Sequence, residues 1–427
     1  MSDMIRKELF PGVWLRSIHT DKFKSAYLSV TLMTALDPEK AGANALIPYV
    51  LRRGTAVHPD MESLSAALDD LYGGAIEPAV RKKGETQCVG FVASFLDDAY
   101  TLGGETILDA AANLLGEMLL KPFTEDGVFS KAYVEGEKAN LMDKIRAQIN
   151  DKRTYATHRI IREMCAGEAY GVDKLGTEAT VSEITPDSLW SAYQNLLNTA
   201  GVEIYYCGSA APERVEEALA KAFAKLPLNP DREEPNCEVR IHAGTEPVVF
   251  EEAMDVTQGK LAMGFRTGGV SVWSENFPAM LLCNSVFGGS TLSKLFMNVR
   301  EKLSLCYYAS SMFDRLKGVM LVSSGIEFEK YEQAKSEILA QLEAVKRGEL
   351  EEWELEGSRR TLMGAYRSML DEQGAQEEFW LSQSVAGLDF GPGEIADSLV
   401  NVTAAQVAEM ANLLELDHMY FLKGKEV

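Results

Sequence analysis

Residues 287–309 read FGGSTLSKLFMNVREKLSLCYYA. Gly288 and Gly289 follow an apolar run and let the backbone turn tightly. Ser290 then stands where a helix N-cap would, ready to accept an amide hydrogen of the first turn. The helix it opens carries through Arg300, and Cys306 begins a strand, CYYASSMFD.

Working outward, TQGKLAMGFRTG (257–268) reads as a second strand ahead of this turn. GVMLVSSGIEFEKYEQAKSEILAQLEAV (318–345) is a strand, a short turn and a long helix. The same plan stands earlier, in VEIYYCGSAAPERVEEALAKAFAKLP (202–227). The N-terminal part adds strand patterns in GVWLRSIHT and SAYLSVTLMTAL. Helical patterns follow at 41–53, 61–72, 105–120 and 125–149, with a strand in QCVGFVASFL. LPLNPDREEPNCE (226–238), with three prolines and a run of acids, supports neither helix nor strand and reads as a linker. The chain therefore divides into an N-terminal half, 1–225, and a C-terminal half, 239–427. Their shared order of elements suggests an internal duplication.

Composition narrows the functional classes. The 427 residues hold 46% hydrophobic and 25% charged side chains, the balance of a globular protein with more than one core. A net charge of −22 repels phosphate backbones, which argues against nucleic-acid partners. The apolar stretch TILDAAANLLGEMLL carries Asp109, Asn113 and Glu117, so it reads as a buried amphipathic helix and no membrane association is expected. MSDMIRKELFPG lacks the apolar core of a secretory signal, which points to the cytoplasm. Cysteines 88, 165, 207, 237, 283 and 306 are scattered without a C-x-x-C pair and read as buried free thiols.

Four segments, in order and spacing, resemble the insulinase-like (pitrilysin) family of zinc peptidases over nearly the whole length. They are RRGT followed by LYGGAIE, AYGVDKLGTEATVSEITPDSLWSAY (169–193), TQGKLAMGFRTG, and the opening stretch at 287–309. The resemblance implies an α+β fold: two homologous α/β halves, each an antiparallel sheet packed by helices, forming a clamshell. Within the family the chain looks closest to bacterial, mitochondrial-processing-peptidase-like members without a zinc motif, of the kind associated with 5-aminopentanol modification of elongation factor P.

The family's zinc motif, H-x-x-E-H, sets two histidines on one helical face with a glutamate that polarises the attacking water. Counting back from Gly54-Thr55 in ANALIPYVLRRGT (43–55), those positions are Ala45, Pro48 and Tyr49. A methyl and a pyrrolidine cannot ligate a metal, and a phenol with a pKa near ~10 is a poor zinc ligand. Pro48 also removes a helical amide, so a local kink is expected. Aligning EGEKANLMDKIRAQIND (135–151) with the helix of the third ligand places Lys144 there, and its ammonium would repel the ion. Glu137 and Asp143 nearby read as solvated helix charges. His19, His58, His158, His242 and His418 are spread along the chain, His58 as a turn residue. By its own residues this chain should bind no zinc and hydrolyse no peptide.

In the family the second half grips substrate through an arginine and a tyrosine seven residues apart. The resemblance assigns these to Arg300 and Tyr307 in REKLSLCY, with Leu303-Ser304 in place of the usual Arg-Gly. It also implies substrate contacts from the turn at Gly288, Gly289 and Ser290. A phenol and a guanidinium aimed at a scissile carbonyl suit a transition state that gathers negative charge there. The expectation is a metal-free subunit that completes the active site of a zinc-bearing, insulinase-like partner, with a peptide as substrate. A second copy of the chain is the other partner considered. The alternatives are a scaffold with no proteolytic role and a clamshell that captures peptides without cutting them.

Overall fold

The computed structural model describes residues 4–425. These residues form two compact units. The first comprises the chain up to Arg146, Val172–Asn236 and Gln373–Gly387. The second comprises Ala147–Gly171, Cys237–Glu372 and the chain from Leu388 onward.

The strands run in chain order β1 (Met4–Phe10), β2 (Val13–His19), β3 (Ser25–Ala35), β4 (Ala75–Lys83) and β5 (Thr86–Leu96). A two-residue hairpin follows, β6 (Thr124–Glu125) with β7 (Val128–Phe129), and then β8 (Gly201–Gly208). The second unit contributes β9 (Val248–Met254), β10 (Gly259–Arg266), β11 (Cys306–Asp314), β12 (Val319–Ile326) and β13 (Glu415–Gly424). The first sheet has the order β1-β2-β8-β3-β5-β4, and the second reads β9-β13-β10-β12-β11 from the opposite edge. Leaving β1 aside, each step matches in sense. β2 lies parallel to β8 and β9 to β13, and the remaining neighbours are antiparallel. The duplication suggested by element order is thus repeated in strand pairing. The sheets are mixed, not purely antiparallel as expected, because β8 and β13 return to their sheets after long helical excursions, which free them to pair in parallel.

In the first unit β3 alternates. Leu28, Val30 and Leu32 point into a core that also holds Leu46, Leu115 and Leu196. Ser29 and Thr31 face the other side, where the helix Gln373–Ala386 lies. That second face is buried yet charged. Arg81 grips Glu377 with both terminal nitrogens, Nη2 to Oε1 at 2.9 Å, and Arg16 Nε donates to Glu203 Oε1 and Ser384 Oγ, each at 2.8 Å. A covered polar face must satisfy its donors internally, and these pairs satisfy most of theirs, while Arg81 Nε and Glu203 Oε2 make no hydrogen bond.

In the second unit the helix Lys152–Met164 lays Ala156, Ile160 and Met164, spaced by four, against Ala262, Leu321 and Leu422. Glu168, just beyond it, meets Arg266 Nη2 at 2.7 Å and Lys317 Nζ at 2.6 Å.

Three local expectations shift. The helix expected over 125–149 begins at Lys131, because Asp126 and Gly127, both at positive φ, turn the β6–β7 hairpin first. The helix expected to reach residue 72 ends at Asp69. Residues 227–247 hold neither helix nor strand, but the stretch is tied down. Arg232 is buried and donates to the carbonyls of Leu197, Ala200 and Pro227 at 2.9, 2.7 and 2.5 Å. No helix among the described residues is long and apolar enough to cross a membrane.

Candidate functional site

The helix Ala41–Leu51 carries the degenerate zinc motif. It runs through Pro48 without a break and closes with Arg52 N–H donating to Pro48 O at 3.1 Å. Its N-terminal turn is anchored from the side. Asn44 Nδ2 donates to Gln87 Oε1 at 3.1 Å, and Gln87 Nε2 to Ala41 O at 2.9 Å. Ala45 and Pro48 are fully enclosed in the core, so neither could be reached by an ion.

Tyr49 is half-buried, and Lys144 from the helix Lys131–Ala147 places its ammonium 3.8 Å from the centre of the Tyr49 ring. The two residues expected at ligand positions thus lie against each other. What joins them is a cation on an aromatic face, an attraction of roughly 0.5–2 kcal/mol, in place of a metal. A cation and a phenol do not fit zinc, whose protein ligands are thiolate, imidazole and carboxylate. Among the described residues no three His, Cys, Asp or Glu side chains gather as a metal ion would need.

Glu137 differs from expectation. It is largely buried and accepts from Arg53 Nη1 at 3.1 Å, tying the RGT turn to this helix; Asp143 is an exposed partner of Arg146 at 3.2 Å. His58, in that turn, sets Nδ1 2.8 Å from Glu117 Oε1 on the helix Ile107–Leu120. Burial pushes the Cys88 thiol up to about 12; none of the six cysteines is in a disulfide, and all but Cys237 are buried.

In the second unit, segments Ser285–Gly289 and Leu295–Lys302 are both wound as π-helix, a winding uncommon in structure and frequent at functional sites. Gly288 is buried against β11. A Cβ there would lie 2.6 Å from Ser311 N, so this glycine is required by packing. Gly289 is exposed and Ser290 half-exposed, which leaves these two as the accessible part of the turn. Ser290 accepts from Leu292 N–H at 3.3 Å and donates to Ser285 O at 3.2 Å. Ser293, whose Oγ accepts from Phe296 N–H at 3.3 Å, caps the helix that carries Arg300. The capping role expected of Ser290 thus falls three residues later, where the helical winding begins.

Arg300 is 41% exposed, lies over the Phe296 ring at 4.6 Å and pairs loosely with Glu301 at 3.4 Å. A β-bulge between Cys306 and Tyr308 leaves Tyr307 without a cross-strand partner and 59% exposed. Such bulges re-aim side chains at sheet edges. The Tyr307 hydroxyl reaches Glu327 Oε1 at 3.5 Å. Ser304, at the position of the family's glycine, holds φ at +49°, the left-handed conformation that glycine adopts freely. The turn between Arg300 and Tyr307 is therefore strained at Ser304.

The model of the peptidase M16 inactive domain matches residues 183–362. A Bacillus subtilis (strain 168) protein described as probable inactive metalloprotease YmfF is 32% identical over 417 residues, which is 97% of this chain and 96% of that protein. The chain belongs to the insulinase-like M16 peptidase family. It is similar to the family's inactive members. An uncharacterized zinc protease of the same organism, YmxG, is 25% identical over 324 residues, 73% of this chain and 76% of its own. The crystal structure of a conserved protein from Enterococcus faecalis V583 superposes with a TM-score of 0.90 at 28% identity, covering 99% of each chain. The M16 architecture of two sheet-containing halves packed by helices is therefore present, while the chemistry of its zinc helix has been replaced.

Proposed function

We propose that this chain is the metal-free subunit of a two-chain, insulinase-like zinc peptidase, working in the cytoplasm. Arg300 and Tyr307 would complete the active site of a zinc-bearing partner during the processing of a peptide or leader. The observation that carries this reading is the state of those two side chains. In the matched stretch, where Ser304 holds a positive φ, both remain exposed: Tyr307 touches Glu327 loosely, and Arg300 pairs loosely with Glu301 and lies over the Phe296 ring. That Bacillus subtilis has relatives named both as an inactive metalloprotease and as a zinc protease supports a division of labour between two chains.

The partner's zinc would supply the activated water. As that water adds to the scissile carbonyl, negative charge grows on the oxygen. The Tyr307 hydroxyl and the Arg300 guanidinium then donate hydrogen bonds to it, leaving Glu327 and Glu301. Gly289 and Ser290 would lie along the peptide backbone beside them. One donor lost from such a site costs about 3–4 kcal/mol, a factor of about 10²–10³ in kcat.

The test is reconstitution with a zinc-bearing family member. Arg300→Ala and Tyr307→Phe should each lower kcat by about a hundredfold while complex formation, read by gel filtration, is unchanged. The Arg300–Glu301 pair favours a second reading, in which the arginine is an ordinary surface residue and the chain a scaffold. Turnover unaffected by either substitution would establish that reading and remove the half-site role.

A further inference from the structure

The second unit carries a cationic cluster that the half-site does not use. Lys260 on β10 and Tyr308 on β11 are both in register with Gly325 on β12, one row across three strands. A Cβ on Gly325 would lie 2.5 Å from Tyr308 Cε1, so the missing side chain is what lets the tyrosine ring lie across the sheet toward Lys260. Arg153, in the first turn of the helix Lys152–Met164, sets its guanidinium 4.2 Å from the centre of the same ring. The Lys260 ammonium lies 5.7 Å from it.

Two cations on one ring repel each other, and the carboxylate whose charge acts on both is Asp151. Among the described residues Arg153 and Lys260 form no ion pair; their side chains donate to the neutral oxygens of Ser310, at 3.0 Å, and Gln258. Burial, and then the Arg153 charge, hold the Lys260 amine below the ordinary lysine range. Asp151, the nearby carboxylate, spends its oxygens capping the helix, accepting from Arg153 N, Thr154 N and Thr154 Oγ1. In a chain of net charge −22, two cations against one nearby carboxylate leave a local positive excess, and its field attracts a small anion. The Arg153 fork, the Lys260 point charge and the Ser310 hydroxyl offer donors from three directions to one planar oxyanion.

We propose that Arg153, Lys260, Tyr308 and Ser310 form a subsite for a peptide carboxylate, either an acidic side chain or the C-terminal carboxylate, so that this subunit selects peptides by an anionic group. The assignment rests on the reading of the chain as a peptide-handling subunit. Its test needs neither a partner nor turnover.

Three short, fluorescently labelled peptides of one neutral sequence serve as probes: one amidated, one amidated with a single glutamate, and one with a free C-terminal carboxylate. Anisotropy titration of the full chain at low salt should show at least one carboxylate peptide binding about tenfold tighter than the neutral one. The arm that gains identifies the source of the carboxylate. Lys260→Met and Arg153→Gln, each checked for an unchanged unfolding transition, should bring the peptides to within about twofold of each other. Arg300→Ala should leave the preference intact. Equal binding of all three peptides to the wild-type chain, or a preference that survives in both variants, would overturn the subsite. A lost half-site effect in reconstitution with the preference retained would sink only the catalytic role.

Discussion

Replacing Arg81 with methionine should destabilise the first unit by about 3–5 kcal/mol, because it strands a buried charge. Glu377 is 2% exposed and Arg81 18%, so neither retains much hydration to fall back on. The pair is bidentate, and Glu377 also accepts the Ser29 hydroxyl at 2.8 Å. The arginine is held well above its usual range because its contacts with Glu377 outweigh the cost of its burial. Removing one partner loses those bonds and leaves the carboxylate enclosed by β3 and the helix Gln373–Ala386. Removing both should be milder. Arg81→Met with Glu377→Leu would leave the Ser29 and Thr31 hydroxyls short of a partner while Glu378 keeps Lys83, a loss of about 1–3 kcal/mol. For a unit of this size each kcal/mol moves the melting point by roughly 2–4 °C, so the single variant should melt about 6–12 °C lower or more and the double should recover much of that. Thermal unfolding followed by circular dichroism reads both. A single-variant loss below ~1 kcal/mol, or a double variant no better than the single, would refute the view that this face is held by a charge pair that must be matched.

Three further outcomes follow from named contacts. Ser304→Gly should raise stability by up to about 1–2 kcal/mol, since glycine takes the +49° φ without the Cβ clash; calorimetry showing no gain would mean that the turn is unstrained. A double-mutant cycle of Tyr49→Leu and Lys144→Met should return a coupling of about 0.5–2 kcal/mol, and strict additivity would deny the cation–aromatic pair at the former metal position. Burial pushes the Glu168 carboxyl up, but hydrogen bonds from Arg266 and Lys317 outweigh it and hold the group below its ordinary value. The stability it contributes is therefore fully present above the unfolded carboxylate range and is lost as pH falls through the depressed folded value. A Glu168→Gln variant should be less stable than wild type near neutrality and converge with it in acid. A difference that grows on acidification would reverse the sign and refute the assignment.

What could be read from the chain itself was whatever local chemistry and spacing express. Ala45, Pro48 and Tyr49 declare the loss of the metal motif because ligation depends on the donor atom at each position. Arg300 and Tyr307 were legible as candidates because the motif around them keeps its spacing. Strand and helix patterns revealed two similar halves because periodicity of two or of four reports which face is buried. Tertiary structure decided what depends on residues distant in sequence. Spacing along the chain does not show that the Lys144 ammonium lies on the Tyr49 ring. Glu137 passed for a solvated charge because Arg53, its partner, belongs to another element. The helix Gln373–Ala386 gave no sign that it would cover the polar face of the first sheet, nor Lys152–Met164 that it would belong to the second unit. Nothing local marked Arg153 and Lys260 as neighbours; they meet because a glycine on the strand between Lys260 and Tyr308 lets one aromatic ring lie down. Residue identity determines which chemistry is possible at a position, and only packing determines which residues come close enough to share it.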